Sequence, residues 1–244
     1  MNHVGYGSFA TPQSFIKAVL ELRPQIAAFD CDGTLWYGDS GMKFLYWEIE
    51  ENLISKAAAV AILRRYDEYL AGKVSEDEMC GEMVQIHSGL PEKRIREFAE
   101  RFVHTNVIPQ IFPEMKELVS SLHEAGSDVW AVSSTNNWVI EAAVRTLDIP
   151  AQRVLAVGVE IEDGVATDKL GEMTSGPGKA RALRRVLSQP LGVSFGNSIF
   201  DLDMLELAHT AFPVNPNDDL REIAEQRGWK FYQPALAKLT APTL

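Results

Sequence analysis

Apolar residues along this chain gather into short runs separated by stretches with helical spacing. The runs at 26–29, 128–132, 154–157, 191–195 and 210–214 have the length and make-up of buried strands. Between and after them the spacing predicts helices over about 137–147, 178–188, 200–208 and 217–227. An earlier helix carries Phe15, Val19 and Leu20, and another puts Met115, Leu118, Val119 and Leu122 on one face before Gly126 stops it. Strands alternating with helices predict an α/β fold, a doubly wound Rossmann-like parallel sheet. Residues 160–165 break the alternation, and Asp163-Gly164 marks the turn of a small hairpin.

Residues 42–105 read as helical throughout. Leu63, Tyr66 and Leu70 are spaced i, i+3, i+7, as are Ile95, Phe98 and Phe102. Ser75-Glu76-Asp77-Glu78 matches a capping box, and Pro91 suits a first helical turn. Four such helices make an inserted bundle between the first and second core strands, lying over the carboxyl edge of the sheet. The expected division is a core at 1–38 and 108–244 and a helical cap at 39–107.

Composition narrows the function classes. The 244 residues carry a net charge of −11 and are 46% hydrophobic, enough for a sizeable core. Acidity of this size argues against non-specific nucleic-acid binding. Cys31 and Cys80 are the only cysteines, which predicts no disulfide framework and a reducing compartment. No apolar run approaches the roughly 18 residues that span a bilayer, and residues 1–12 lack the pattern of a secretory signal. The expectation is a cytoplasmic protein with no membrane partner. None of the five histidines falls in a metal-ligand spacing.

Candidate chemistry sits at the strand ends. Asp30-Cys31-Asp32-Gly33-Thr34 follows the first strand, and residues i and i+2 of a strand share a side. Asp30 and Asp32 therefore repel each other and call for a cation or a shared proton, while Cys31 points into packing. Ser133-Ser134-Thr135-Asn136 after the second strand offers hydroxyls and amides to an anion. Gly176-Pro177-Gly178-Lys179 opens a helix, but Met173 and Ala180 stand where a Walker loop needs Gly and Ser or Thr. Lys179 is instead a cation facing an acidic edge. Gly196-Asn197-Ser198-Ile199-Phe200-Asp201 adds Asp201 to that edge, with Phe200, Met204 and Leu205 anchoring the next helix and Asp203 solvated.

These four motifs, in this order, resemble the haloacid dehalogenase superfamily from about residue 26 onward. The stretches from Gly72-Lys73 to Pro91 and from Val214 to Trp229 resemble its phosphoserine phosphatase-like branch. The resemblance implies a phosphatase acting on a small-molecule phosphate monoester. Asp30 would be the nucleophile, forming an aspartyl-phosphate, and Asp32 the general acid and base. Lys179, Ser133 and Ser134 would hold the phosphoryl group. Mg²⁺ would be bound by Asp30, Asp32 through its carbonyl, Asn197 and Asp201.

Two departures from the family pattern matter. Asn197 stands where the family has an aspartate, which implies a weaker metal site. Asp39 keeps the acid that meets a substrate amine, whereas Gly81 replaces the arginine that meets its carboxylate, and Phe200 replaces an asparagine. Trp36, Tyr37, Phe44, Tyr46 and Trp47 crowd the cap entrance, and a cation beside such rings gains about 0.5–2 kcal/mol per ring. Asp39, Trp36, Tyr37 and Phe200 are thus the expected substrate contacts, and an amine- or choline-type ester the expected substrate. Phosphoserine hydrolysis and phosphate binding without catalysis are the alternatives.

Overall fold

The computed structural model describes residues 7–235. The Thr11 hydroxyl accepts the Ser14 amide at 3.1 Å and opens α1 (Pro12–Glu21), which leads into the wholly buried β1 (Ile26–Phe29). Four helices follow before the sheet resumes: α2 (Ser40–Glu50), α3 (Lys56–Leu70), α4 (Glu76–Gln85) and α5 (Glu92–Phe102). The chain returns through α6 (Pro113–Glu124), β2 (Asp128–Asn136), α7 (Asn137–Val144) and β3 (Val154–Val157). A hairpin of β4 (Val159–Glu162) and β5 (Val165–Leu170) comes next. Then come α8 (Pro177–Val186), β6 (Val193–Gly196), α9 (Leu202–Leu207), β7 (Thr210–Pro213) and α10 (Asp218–Arg227).

Five parallel strands lie in the order β3-β2-β1-β6-β7. The chain steps outward from β1 to β3, crosses back to β6, and steps outward again. The crevice at the carboxyl ends of β1 and β6 is therefore the topological switch point, where ligands bind in sheets of this kind. Both faces are covered. Ala27, Phe29, Val129 and Ala131 pack with Phe15 of α1 and Leu118 of α6. Ile26, Ala28, Trp130 and Val132 pack with Leu183 of α8 and Met204 of α9. Phe29 and Phe195 stack with ring centres 4.2 Å apart, and truncating so buried a ring costs about 3–5 kcal/mol.

Expected and observed elements differ in a few places. β2 continues past residue 132 to Asn136, because pairing with β3 resumes at Asn136 opposite Val157 after an irregularity. Pro91 caps α5 from the residue before it rather than sitting in its first turn. Leu70, at the end of α3, is exposed rather than packed, although its spacing with Leu63 and Tyr66 suggested a common inner face. His87 is a core histidine, wholly buried with Nε2 2.7 Å from Glu48 Oε2.

The Ser75 capping box forms as expected, with Ser75 Oγ accepting the Glu78 amide and Glu78 accepting the Ser75 amide. The hairpin turn also forms, with Asp163 at φ 52° and Gly164 at φ 78°. The hairpin does more than fill a loop. Its Ala166 amide donates to Leu90 O and its Ala166 and Gly164 carbonyls accept from the Gly89 and Glu92 amides, all within 2.9 Å. Gln85 Nε2 adds a bond to Asp168 O at 2.7 Å. The segment between α4 and α5 is thereby stitched to the hairpin.

Candidate active site

β1 delivers Asp30 to the switch point, where its amide still pairs with Phe195 O of β6 at 2.9 Å. Asp30 is two residues beyond Ala28 and so falls on the sheet face that α8 covers. Lys179, in the first turn of α8, reaches it: Nζ lies 2.6 Å from Asp30 Oδ1 and 2.6 Å from Asp201 Oδ1. The other Asp30 oxygen accepts from Thr34 Oγ1 at 2.8 Å. Burial, with Asp201 nearby, pushes the Asp30 carboxyl up to about 7 against the pull of Lys179 and Thr34. Burial also works against the ammonium of Lys179, but Asp201 and Asp30 outweigh it and hold Lys179 above the ordinary lysine value. Every carboxylate oxygen of this buried triad has a hydrogen-bond donor, while its single ammonium serves two acids.

The helix start needs its glycine. A Cβ on Gly178 would lie 2.1 Å from Met173 O, so no other residue brings Lys179 to this place without a backbone shift. The same holds in the fourth motif, where a Cβ on Gly196 would lie 2.5 Å from Asp201 Cβ. Asp201 is wholly buried, and its second oxygen accepts the Asn197 and Ser198 amides at 2.9 and 3.0 Å. Both of its oxygens are thus engaged in holding Lys179 and the loop. Asn197 stacks its side chain over Gly33, whose missing Cβ makes the room.

Asp32 faces a different set of donors. Its Oδ1 accepts Trp36 Nε1 and the Ser40 amide, each at 2.6 Å. Its Oδ2 accepts Ser40 Oγ at 3.0 Å and Thr135 Oγ1 at 2.8 Å. Cys31 between the acids is buried in the apolar core, and burial, with Asp30 and Asp32 beside it, pushes its thiol well above the ordinary range. Ser133 Oγ accepts the Thr135 amide at 3.1 Å, which leaves its hydroxyl proton for another acceptor.

Two adjoining cavities lie under the cap. One, of about 440 Å³, is lined by Asp30, Asp32, Ser133, Ser134, Lys179 and Asn197, with Tyr37 and Phe200 at its side. The other, of about 310 Å³, runs between α3 and α4 along Tyr66, Tyr69, Met79, Cys80 and Met83. Asp39, Glu76, Ser134 and Thr135 line both. Asp39 is exposed at the mouth of this cleft, yet the water it loses to the surrounding walls, with Asp32 close by, raises its carboxyl to about 6.

Among the expected substrate contacts Asp39, Tyr37 and Phe200 line the phosphate-side cavity, whereas Trp36 and the other aromatic residues expected at the cap entrance are placed elsewhere. Trp36 is 1% exposed and packs in the core, because its indole N–H is held by Asp32. Phe44 and Trp47 pack inside the cap, stacked on each other and against Phe102, and Tyr46 faces outward. Phe200 does not anchor α9: it is exposed at the cavity rim, and Met204 and Leu205 anchor that helix instead. The aromatic lining of the cavity between α3 and α4 comes from Tyr66, which shares its helical spacing with Leu63 and Leu70, and from Tyr69, which no sequence pattern singles out. A Cβ on Gly81 would meet Leu170 of the hairpin at 2.8 Å, so position 81 faces β5. The cavity-facing positions of α4 are Glu76, Met79, Cys80 and Met83, and among the described residues no lysine or arginine lines that cavity. Arg65 is held by Glu82 and Glu68, and Arg64 lies on the outside of α3 beside Glu68.

Thr34, Ser40 and Thr135 were not singled out from sequence. Thr34 and Thr135 lie inside the motifs, but nothing in their spacing says which acid each meets. For a metal, the available donors are hard oxygens: the Asp30 carboxylate, the Asp32 main chain and the Asn197 amide. Among the described residues no three His, Cys, Asp or Glu side chains converge on one point as a ready metal cluster. One or two carboxylates with retained waters and a substrate oxygen suit Mg²⁺, so the set fits that ion.

Comparison with known proteins agrees with this arrangement. Residues 27–206 match the family model described as haloacid dehalogenase-like hydrolase. A probable phosphatase of Mycobacterium tuberculosis is 28% identical over 211 residues, covering 83% of this chain and 73% of that protein. A phosphoserine phosphatase of the same organism is 25% identical over 225 residues, covering 88% and 72%. A histidinol-phosphatase of Neisseria meningitidis is 26% identical over 217 residues, covering 84% and 96%. A solved structure from Bordetella pertussis, of unknown function, superposes with a TM-score of 0.72 at 23% identity, covering 85% of this chain and 97% of that one.

Proposed function

The chain belongs to the haloacid dehalogenase-like hydrolases, and from that premise we propose that it hydrolyses a small-molecule phosphate monoester through a phosphorylated Asp30. The observation that carries this is the buried contact of Lys179 with Asp30 and Asp201, 2.6 Å each. It sets a nucleophile and a cation side by side at the switch point, with Asp32 turned to a separate set of donors.

In this reading an Asp30 oxygen attacks phosphorus and the ester P–O bond breaks. Asp32 gives its proton to the departing alkoxide, then takes one from the water that attacks the phosphoryl-aspartate and releases phosphate. Lys179 uses two of its three protons on carboxylates and has one for a phosphoryl oxygen. The Ser133 hydroxyl and Ser134 supply further donors where charge gathers. Mg²⁺, held by Asp30, the Asp32 carbonyl and Asn197 with Asp201 behind them, would supply positive charge to the phosphoryl oxygens. The lining supports a substrate with an amine or quaternary ammonium and no carboxylate. Asp39 favours a cation, and an unpaired carboxylate buried in the cap cavity would cost several kcal/mol. The name of one relative, histidinol-phosphatase, denotes the ester of an amino alcohol and fits this preference.

A panel of phosphate monoesters assayed with and without Mg²⁺ tests the reading. Turnover is expected with Mg²⁺, with phosphoethanolamine or phosphocholine ahead of phosphoserine by tenfold or more in kcat/KM. Asp30→Asn is expected to stay folded and lose turnover and phosphoenzyme formation. No turnover by the wild type across the panel would leave phosphate binding without catalysis, and an active Asp30→Asn would remove the nucleophile assignment.

A further inference from the structure

The cavity between α3 and α4 is larger than a simple amino alcohol needs. At about 30 Å³ for each water-sized group, its 310 Å³ has room for roughly ten non-hydrogen atoms, and ethanolamine would leave more than half of it empty. Its walls are not uniform. Tyr66, Met79 and Met83 present flat or pliable apolar surface, suited to one face of a ring. Asp39 stands where this cavity meets the phosphate side, and Glu76 also lines both spaces. Glu76 Oε2 is taken by the Tyr69 hydroxyl, while Oε1 has only the Cys80 thiol, 3.8 Å away. Glu76 therefore keeps an oxygen for a ligand and, among the described residues, has no cationic partner in the cavity.

Building on the phosphatase reading above, we propose that Glu76 is a second specificity residue. It receives an N–H group of the leaving group distinct from the amine that Asp39 meets. The substrate class is then an amino alcohol phosphate that also carries a flat nitrogen heterocycle, its ring against Tyr66 and the methionines and its N–H on Glu76.

Three probes separate the possibilities: histidinol phosphate with amine and ring N–H, phosphoethanolamine with the amine alone, and p-nitrophenyl phosphate with neither. Wild type is expected to prefer histidinol phosphate over phosphoethanolamine by at least tenfold in kcat/KM. Glu76→Gln keeps the shape and the bond from Tyr69, and should cut that preference at least fivefold through KM. Glu76→Asp, which keeps the charge, should retain more of the preference than Glu76→Gln. Wild type without the preference overturns the proposal, as does a preference unmoved in Glu76→Gln or lowered equally by both variants. Absence of turnover by the wild type on all three probes is a different result, which overturns the phosphatase reading itself.

Discussion

Ser40 turns both of its donors onto the carboxylate of Asp32, its amide at 2.6 Å and its hydroxyl at 3.0 Å. Ser40 is the first residue of α2, so the opening turn of the cap is fastened to the proposed acid–base residue. A carboxylate is favoured at a helix start, where free amides and the helix dipole meet it. The cap and the orientation of Asp32 are thus one structural unit.

Asp32→Asn follows from that contact. The amide can keep its oxygen on Trp36 Nε1 and the Ser40 amide while its NH₂ donates to the Ser40 and Thr135 hydroxyls. Stability should fall by only about 1 kcal/mol, because each donor still finds a partner. Turnover should fall at least a hundredfold, the usual scale for losing a general acid–base group. Thermal unfolding and steady-state kinetics on the same sample check both halves.

Lys179→Met should destabilise the metal-free protein by about 3–5 kcal/mol at neutral pH, since it leaves two buried carboxylates without their cation. The pH dependence has a definite sign. The Asp30 carboxyl is near 7 in the folded protein against 3.8 when unperturbed, so the folded state binds the extra proton between those values. Its contribution to stability is full below the lower value and is lost as pH rises through the higher one. Melting temperatures at about pH 5 and pH 8 should show Lys179→Met losing more at the higher pH. Asp30→Asn should flatten the slope.

Asp39 predicts a pH-dependent selectivity. Its carboxyl is raised to about 6, by loss of surrounding water first and by Asp32 next, so it gains its charge as pH passes that value. The kcat/KM ratio of phosphoethanolamine to p-nitrophenyl phosphate should rise between about pH 5 and pH 7. Asp39→Asn should remove the rise, and a ratio that stays flat in wild type would dissociate Asp39 from amine recognition.

Asn197→Asp adds a fourth carboxylate to the edge that already holds Asp30, Asp32 and Asp201. Without metal the added repulsion should lower the melting temperature. With Mg²⁺ the added charge should tighten the site, so the metal should raise the melting temperature of the variant more than that of wild type. Calorimetric or thermal-shift titration with Mg²⁺ checks this without reference to turnover.

Much of the fold was legible because each core strand is an apolar run bounded by turn residues, and the hairpin turn because Asp163-Gly164 names its own geometry. The acids and Lys179 were legible for a related reason: they sit at fixed offsets from those strands and from a glycine. The cap lining was not. Tyr66 and Leu70 share a helical spacing with the buried-side Leu63, yet both line an open cavity, Leu70 at its exposed edge, and only the packing of α4 against α3 leaves that space. Trp36 misled in the other direction. Its indole is drawn inward by Asp32, a contact that residue type alone does not disclose. Gly81 was read by position along the chain, whereas its direction is set by Leu170, from a hairpin far along the sequence.

The stitching of residues 89–92 to the β4–β5 hairpin bears on how such proteins could exchange caps. A graft carrying residues 39–107 alone would leave the Gly89, Glu92 and Ala166 amides without the partners they have here, and would set Gly81 against a foreign hairpin. The transplantable module is discontinuous: the four helices together with residues 159–170. Recombination or design that swaps specificity on this scaffold must move both pieces, or rebuild the seam between them.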